Sequence, residues 1–179
     1  IYFYSDGQGE SNYIGGQIMV TTDKGATPLH AACCSDNEGL ALQLMALFRA
    51  YDHNINHQAQ GQTPFIIAAM HGYVRLARHL LDNQANIKLK ANGATAFWFA
   101  CAHNKLEMAK FIYQNDELQL DEPKDGYTPL YIAVQEDHHK IVNFLLSKGA
   151  NRAIGPASGK TPLELANEKG NSKVLECFQ

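Results

Sequence analysis

Between Gly126 and Ala150 the apolar residues come in two bursts. Leu130, Ala133 and Val134 recur at helical spacing until Gln135, Glu136 and Asp137 close the run, and Ile141, Val142, Phe144, Leu145 and Leu146 then form a second, broader apolar face. This spacing predicts two short amphipathic helices separated by a tight turn. Asp125-Gly126 supplies a turn ahead of them, Thr128 is placed to cap the first helix with Pro129 at its first position, and Lys148-Gly149 ends the second. The same grammar recurs in Gly61 to Ala85, where Val74, Leu76, Ala77, Leu80 and Leu81 carry the second helix, and in Gly93 to Gln119, with Leu106, Met108, Ala109, Phe111 and Ile112. Leu81 and Leu145 are both expected in the core. From Gly159 to Gln179 the pattern is cut short after Val174, Leu175 and Cys177, with Asn171-Ser172-Lys173 before and Glu176 and Gln179 outside, as expected of a polar-flanked C-terminal cap.

The helix starts share a phrase: Thr27-Pro28-Leu29-His30, Thr63-Pro64-Phe65-Ile66, Thr95-Ala96-Phe97-Trp98, Thr128-Pro129-Leu130-Tyr131 and Thr161-Pro162-Leu163-Glu164. The threonines are 36, 32, 33 and 33 residues apart. Units this regular cannot each bury an apolar face alone, so they stack on their neighbours and function is sought on a long surface.

The period, the Gly-x-Thr-Pro-Leu-His run from Gly25 to His30, and the His71-Gly72 and Lys148-Gly149-Ala150-Asn151 phrases resemble ankyrin repeats over about residues 15 to 179. The resemblance implies an all-α solenoid of stacked helix-turn-helix units, with first helices lining a concave face, second helices on the convex back and β-hairpin finger loops between repeats. Gly15 to Ile18 then looks like half of the first finger. The expected division is an extension or cap over residues 1–22 and a repeat domain over 23–179, with repeats near 23–58, 59–90, 91–123, 124–156 and 157–179.

Three departures stand out. The first unit is three residues longer than the standard 33, which points to an extended second helix or a longer Tyr51-Asp52-His53-Asn54 loop. Residues 1–13 do not read as a helix pair, since Gly7 and Gly9 interrupt them, and the aromatic Tyr2, Phe3, Tyr4 and Tyr13 favour a packed cap or the tail of an upstream domain. The phrase's histidine, which in this family ties the fingers together, is replaced by Ile66, Trp98, Tyr131 or Glu164 in all units but the first. Trp98 and Tyr131 share a register on adjacent units and read equally as space-filling residues or as aromatic anchors of a binding face.

With 179 residues, 45% of them hydrophobic, the chain has the means for a substantial core. A net charge of −3 with Lys and Arg scattered gives no reason to expect a nucleic acid or a membrane as partner. Cys33, Cys34, Cys101 and Cys177 lie in or beside apolar runs without CxxC spacing, which fits buried thiols in a reducing, cytoplasmic compartment. The sequence begins at Ile1, so it reads as a piece of a longer chain, which leaves room for an upstream catalytic domain or for a secreted effector acting in a host cytoplasm.

Chemistry finds little footing. His30 with Cys33 and Cys34 falls on a helix whose pattern assigns all three structural places. His71, His103 and His138-His139 lack the compact four-ligand spacing of a zinc site. Gly155 to Thr161 ends in Gly-Lys-Thr, but three residues separate its glycines where a phosphate loop needs four. No catalytic residue, metal or cofactor is expected. The resemblance implies a monomeric, non-catalytic module that binds a protein or peptide. Its contact positions on the fingers are Lys24, Gln60, Gln62, Asn92, Lys124, Asp125, Tyr127 and Lys160, with Ala26 and Ala94 between them. The first helices add Met70, His71, Trp98, His103, Tyr131, Gln135 and Glu136, along with Ser35, Ala102, Glu168 and Lys169. A spacer without any binding role is the remaining class.

Overall fold

Each Thr of the repeated phrase starts a helix for the same local reason. The first amides of a helix have no intrahelical acceptor, and Thr27, Thr63, Thr95, Thr128 and Thr161 each turn a side-chain oxygen to the amide three residues on. In a computed structural model describing residues 12–14, 17–19, 25–35, 37–50, 54–157 and 159–179, these caps open five helix pairs. The pairs are α1 (Pro28–Cys34) with α2 (Glu38–Ala50), α3 (Pro64–His71) with α4 (Val74–Asp82), α5 (Ala96–Ala102) with α6 (Leu106–Asn115), α7 (Pro129–Gln135) with α8 (His139–Ser147), and α9 (Pro162–Lys169) with α10 (Ser172–Glu176).

In the second to fifth pairs the turn between the helices has a left-handed residue nine positions after the Thr. Gly72 and Gly170 take it without strain, and Asn104 and Asp137 take it at φ 57° and 58°. Ahead of α3, α5 and α7 the fingers are two-residue turns. Gln60-Gly61, Asn92-Gly93 and Asp125-Gly126 all have positive φ at both residues, the type I′ geometry that suits a hairpin. Bridges from Ala59 to Gln62, Ala91 to Ala94 and Lys124 to Tyr127 close them.

The first helices pack on one another in chain order, as do the second helices, and the first layer is the more closely packed. One continuous core runs between the layers. Leu29, Phe65, Phe97 and Leu130 hold the same register and are fully buried, while Leu163, their counterpart in the fifth unit, is 42% exposed at the end of the stack. In α4 it is Leu80 that is fully buried, and Leu81 is only half-buried against the core. The expectation for Leu81 is corrected here: one residue is a rotation of about 100° on a helix, enough to move it to the rim.

The additional length of the first unit lies in α2, which has 13 residues against 9, 10 and 9 in α4, α6 and α8. α4 has no side-chain cap of its own, and Glu38 at the start of α2 accepts from the Leu76 amide at 3.1 Å in its place. Ahead of the array, β1 (Asn12–Ile14) pairs antiparallel with β2 (Gln17–Met19), with Tyr13 opposite Ile18. The strand expected to be half of the first finger is thus paired backwards, with residues that precede it. Lys24 and the aromatic stretch over residues 1–11 lie outside the described residues.

Candidate functional site

The third repeat departs from the second and fourth where its second helix ends. Gln84 and Gly149 continue the chain at positive φ, but their counterpart Asp116 is extended and caps a 3-10 turn over Glu117–Gln119. That turn swings Gln119 inward to a buried position. Its Oε1 accepts from the Phe97 amide at 3.3 Å, and its Nε2 donates to the Ile87 carbonyl at 3.2 Å and to Asp116 Oδ2 at 3.0 Å. Gln119 therefore braces the base of α5, on which Trp98 sits. Its role has no signature in the apolar pattern.

Trp98 does two things. Its Nε1–H donates to the Tyr127 carbonyl at 2.8 Å, and its ring lies under Lys124 Nζ, 5.6 Å from the centroid. In the first unit His30 Nε2–H reaches the Gln62 carbonyl at 3.2 Å, and Gln62 precedes Thr63 as Tyr127 precedes Thr128. Trp98 thus replaces the histidine's tie to the next finger with a longer donor. Trp98→Phe keeps a ring and removes the donor, so the expected loss is about 1 kcal/mol of stability, to be read from urea unfolding.

Around Trp98 the structure gathers Lys124, Asp125, Tyr127 and Tyr131. Lys124 pairs with Asp125 at 3.1 Å. Tyr127 is 36% exposed on the finger, and Tyr131 is 6% exposed with its ring 5.3 Å from that of Tyr127. Tyr131 therefore supports Tyr127 from beneath. The other predicted positions are spread along the same surface. Gln60, Asn92, His103, Gln135, Glu136 and Lys160 are exposed, and Met70 and His71 are half-buried. Gln62 Nε2 lies 3.8 Å from Met70 Sδ, and His71 stacks on Tyr73 at 5.4 Å. At the last repeat Lys160 pairs with Glu168 at 2.5 Å, and Lys169 bridges to Asp137 at 3.0 Å and to the Gln135 carbonyl.

Burial is the first cause of the shifts at the thiols and at His103. Burial pushes the Cys33 thiol up to about 12, with the neighbouring Cys34 adding to it, and burial likewise raises Cys101, Cys34 and Cys177. A thiol held protonated is a poor nucleophile. His103 is lowered first by burial, then by Lys105, His71 and His138, with Glu136 opposing. Among the described residues no group of three or more His, Cys, Asp or Glu side chains is placed to hold a metal ion, and no helix is long and apolar enough to cross a membrane.

Overlapping stretches of the chain, residues 11–91, 34–122, 84–155 and 117–178, match the family model for ankyrin repeats (three copies). The chain belongs to the ankyrin repeat family. Ankyrin repeats are in general protein-interaction modules, and their domains are in general non-catalytic. Among curated proteins this ankyrin array is similar to alpha-latrotoxin-Lt1a of Latrodectus tredecimguttatus, 31% identical over 137 residues, which are 75% of this chain and 10% of the toxin. Alpha-latrotoxin-Lhe1a of Latrodectus hesperus is 32% identical with the same coverage, and alpha-latrotoxin-Lh1a of Latrodectus hasselti is 31% identical. The chain spans about a tenth of the length of these relatives.

Proposed function

We propose that this array, over residues 23–179, is a non-catalytic module that binds a protein or peptide on the surface formed by its fingers and first helices, as a monomer in the cytoplasm. The observation that carries this reading is the cluster around Tyr127. Aromatic side chains at an interface are effective when held in place beforehand, because little ordering cost is left to offset their burial. Tyr127 sits on a type I′ turn, its carbonyl is held by Trp98 and its ring rests on Tyr131. Gln60, Asn92 and Asp125 at the finger tips, with His103, Gln135 and Glu136 at the helix ends, supply polar contacts on either side. The mixture suits a folded protein or an extended peptide better than a phosphate backbone.

The test is a partner captured from lysate by the intact array, identified, and titrated against variants. Tyr127→Ala is expected to weaken binding about thirtyfold, roughly 2 kcal/mol, with the melting temperature unchanged because the removed ring is partly in solvent. Wild-type affinity in this variant, or loss of the fold, would sink the assignment of the face.

A second reading rests on the length of the relatives. They are toxins in which the matching stretch is one tenth of the chain, so the array also suits the recruiting part of a larger enzyme or effector. The residues preceding Ile1 discriminate: a catalytic motif there supports recruitment, and further repeats support a stand-alone binding array.

A further inference from the structure

The aromatic cluster at the third and fourth repeats has two hydroxyls to spare. Tyr131 is 6% exposed, yet its hydroxyl makes no hydrogen bond with any described residue. Among the described residues no buried side-chain nitrogen or oxygen is left without a partner, so this hydroxyl opens at the surface. The Tyr127 hydroxyl, on a ring 5.3 Å from that of Tyr131, is likewise without a hydrogen bond. Packing does not call for the Tyr131 hydroxyl. Ile66 holds the same register two units earlier, is 1% exposed, and has no polar atom in its side chain. Burial raises the Tyr131 pKa, with Tyr127, Lys160 and Glu168 as the further influences, so at neutral pH the phenol is a donor.

The polar groups around the two tyrosines are already engaged. Trp98 Nε1–H donates to the Tyr127 carbonyl, Lys124 pairs with Asp125, and Lys160 pairs with Glu168. The charges cancel in pairs. A strongly acidic ligand would have to displace Asp125 or Glu168, and a strongly basic one Lys124 or Lys160. What the patch leaves open is an apolar ring face on Tyr127 and two hydroxyl donors, which suits a neutral partner that brings apolar surface and hydrogen-bond acceptors.

An α-helix spends its carbonyls on its own amides. A polyproline II segment has no internal hydrogen bonds and leaves its carbonyls to its surroundings. Its prolines carry no N–H that needs an acceptor, and their fixed φ lowers the ordering cost of binding. Such segments dock on aromatic side chains. We infer that the patch of Tyr127 and Tyr131 recognises a neutral, proline-rich peptide in the polyproline II conformation. Prolines lie on the Tyr127 ring, and a peptide carbonyl accepts from the Tyr131 hydroxyl. This rests on the reading of the array as a protein-interaction module and names the class of its partner. The positions matching Tyr127 are Gln62, Ala94 and Lys160, and those matching Tyr131 are Ile66, Trp98 and Glu164, so the pair of hydroxyls occurs at one place along these units.

The probe is a synthetic oligoproline of about ten residues, roughly three turns of the helix, with a Gly-Ser peptide of equal length as the flexible control. In the isotope-labelled full chain, amide chemical shifts are expected to move around Trp98, Tyr127, Tyr131 and Lys160 with the oligoproline and to stay in place with the control. Tyr131→Phe should weaken the oligoproline about fivefold, the yield of one hydrogen bond, at an unchanged melting temperature, because the hydroxyl holds nothing within the fold. Tyr127→Ala should abolish the shifts. No shift at millimolar oligoproline, equal binding of the Gly-Ser peptide, or wild-type affinity in Tyr131→Phe would each overturn the proline preference. If that happens while Tyr127→Ala still loses the partner captured from lysate, the interaction face stands and its ligand class falls. Wild-type capture by Tyr127→Ala removes the face itself.

Discussion

Leu145→Ala is expected to cost about 2 to 5 kcal/mol of stability, the range for truncating a fully buried leucine that leaves a cavity behind. Leu145 is completely buried in α8, where it packs in the continuous core between the two helix layers. In a stack of this kind each repeat is held by its neighbours, so a cavity there weakens the contacts of α8 with both α6 and α10. The chain has one tryptophan, Trp98, in the preceding repeat, and its fluorescence reports the loss as a lower urea midpoint. Leu81→Ala is the built-in control. That side chain keeps part of its surface in water in the folded state, so its expected cost is about 1 kcal/mol. Equal costs for the two would contradict the division between core and rim.

Gln119→Ala is expected to be nearly as damaging although it removes no apolar core. Thr95 satisfies the amide of Trp98, the third in α5, and Gln119 satisfies that of Phe97, the second. Truncation leaves this buried donor without its partner, at about 1 to 3 kcal/mol, and removes the donor from the part-buried Ile87 carbonyl as well. Because α5 carries Trp98, the variant should also shift the fluorescence maximum of the native state. A variant with wild-type stability and an unchanged spectrum would mean that water replaces the amide at no cost.

What was legible in the sequence is what is local. The Thr caps, the proline starts and the 3.6-residue apolar stripes act within a few residues of their own position, so each repeat announces its helices independently and five copies confirm one another. The choice between Leu80 and Leu81 was less accessible, because a stripe defines an arc and not its centre. Gln119 was illegible for a different reason. Its burial follows from Asp116 adopting an extended backbone where Gln84 and Gly149 are left-handed, and only the resulting turn brings the side chain to α5. Trp98 stood undecided between packing and recognition, and its geometry shows why the two were hard to separate: the indole that braces the finger also underlies Lys124. Tyr127 and Tyr131 differ in exposure because one is on a finger and the other on the inner turn of α7, a distinction of placement that residue type alone does not carry.

These three finger turns have nearly identical φ angles beneath a glutamine, an asparagine and an aspartate. Their conformation is maintained by the following glycine and by the short bridges, so the turn itself asks of the tip residue only that it tolerate a left-handed φ, although Asp125 also pairs with Lys124. Substitutions among such residues can accumulate by drift without disturbing the stack. The fingers are in that sense interchangeable parts, and a lineage of such chains can change what it recognises one tip at a time while every intermediate still folds.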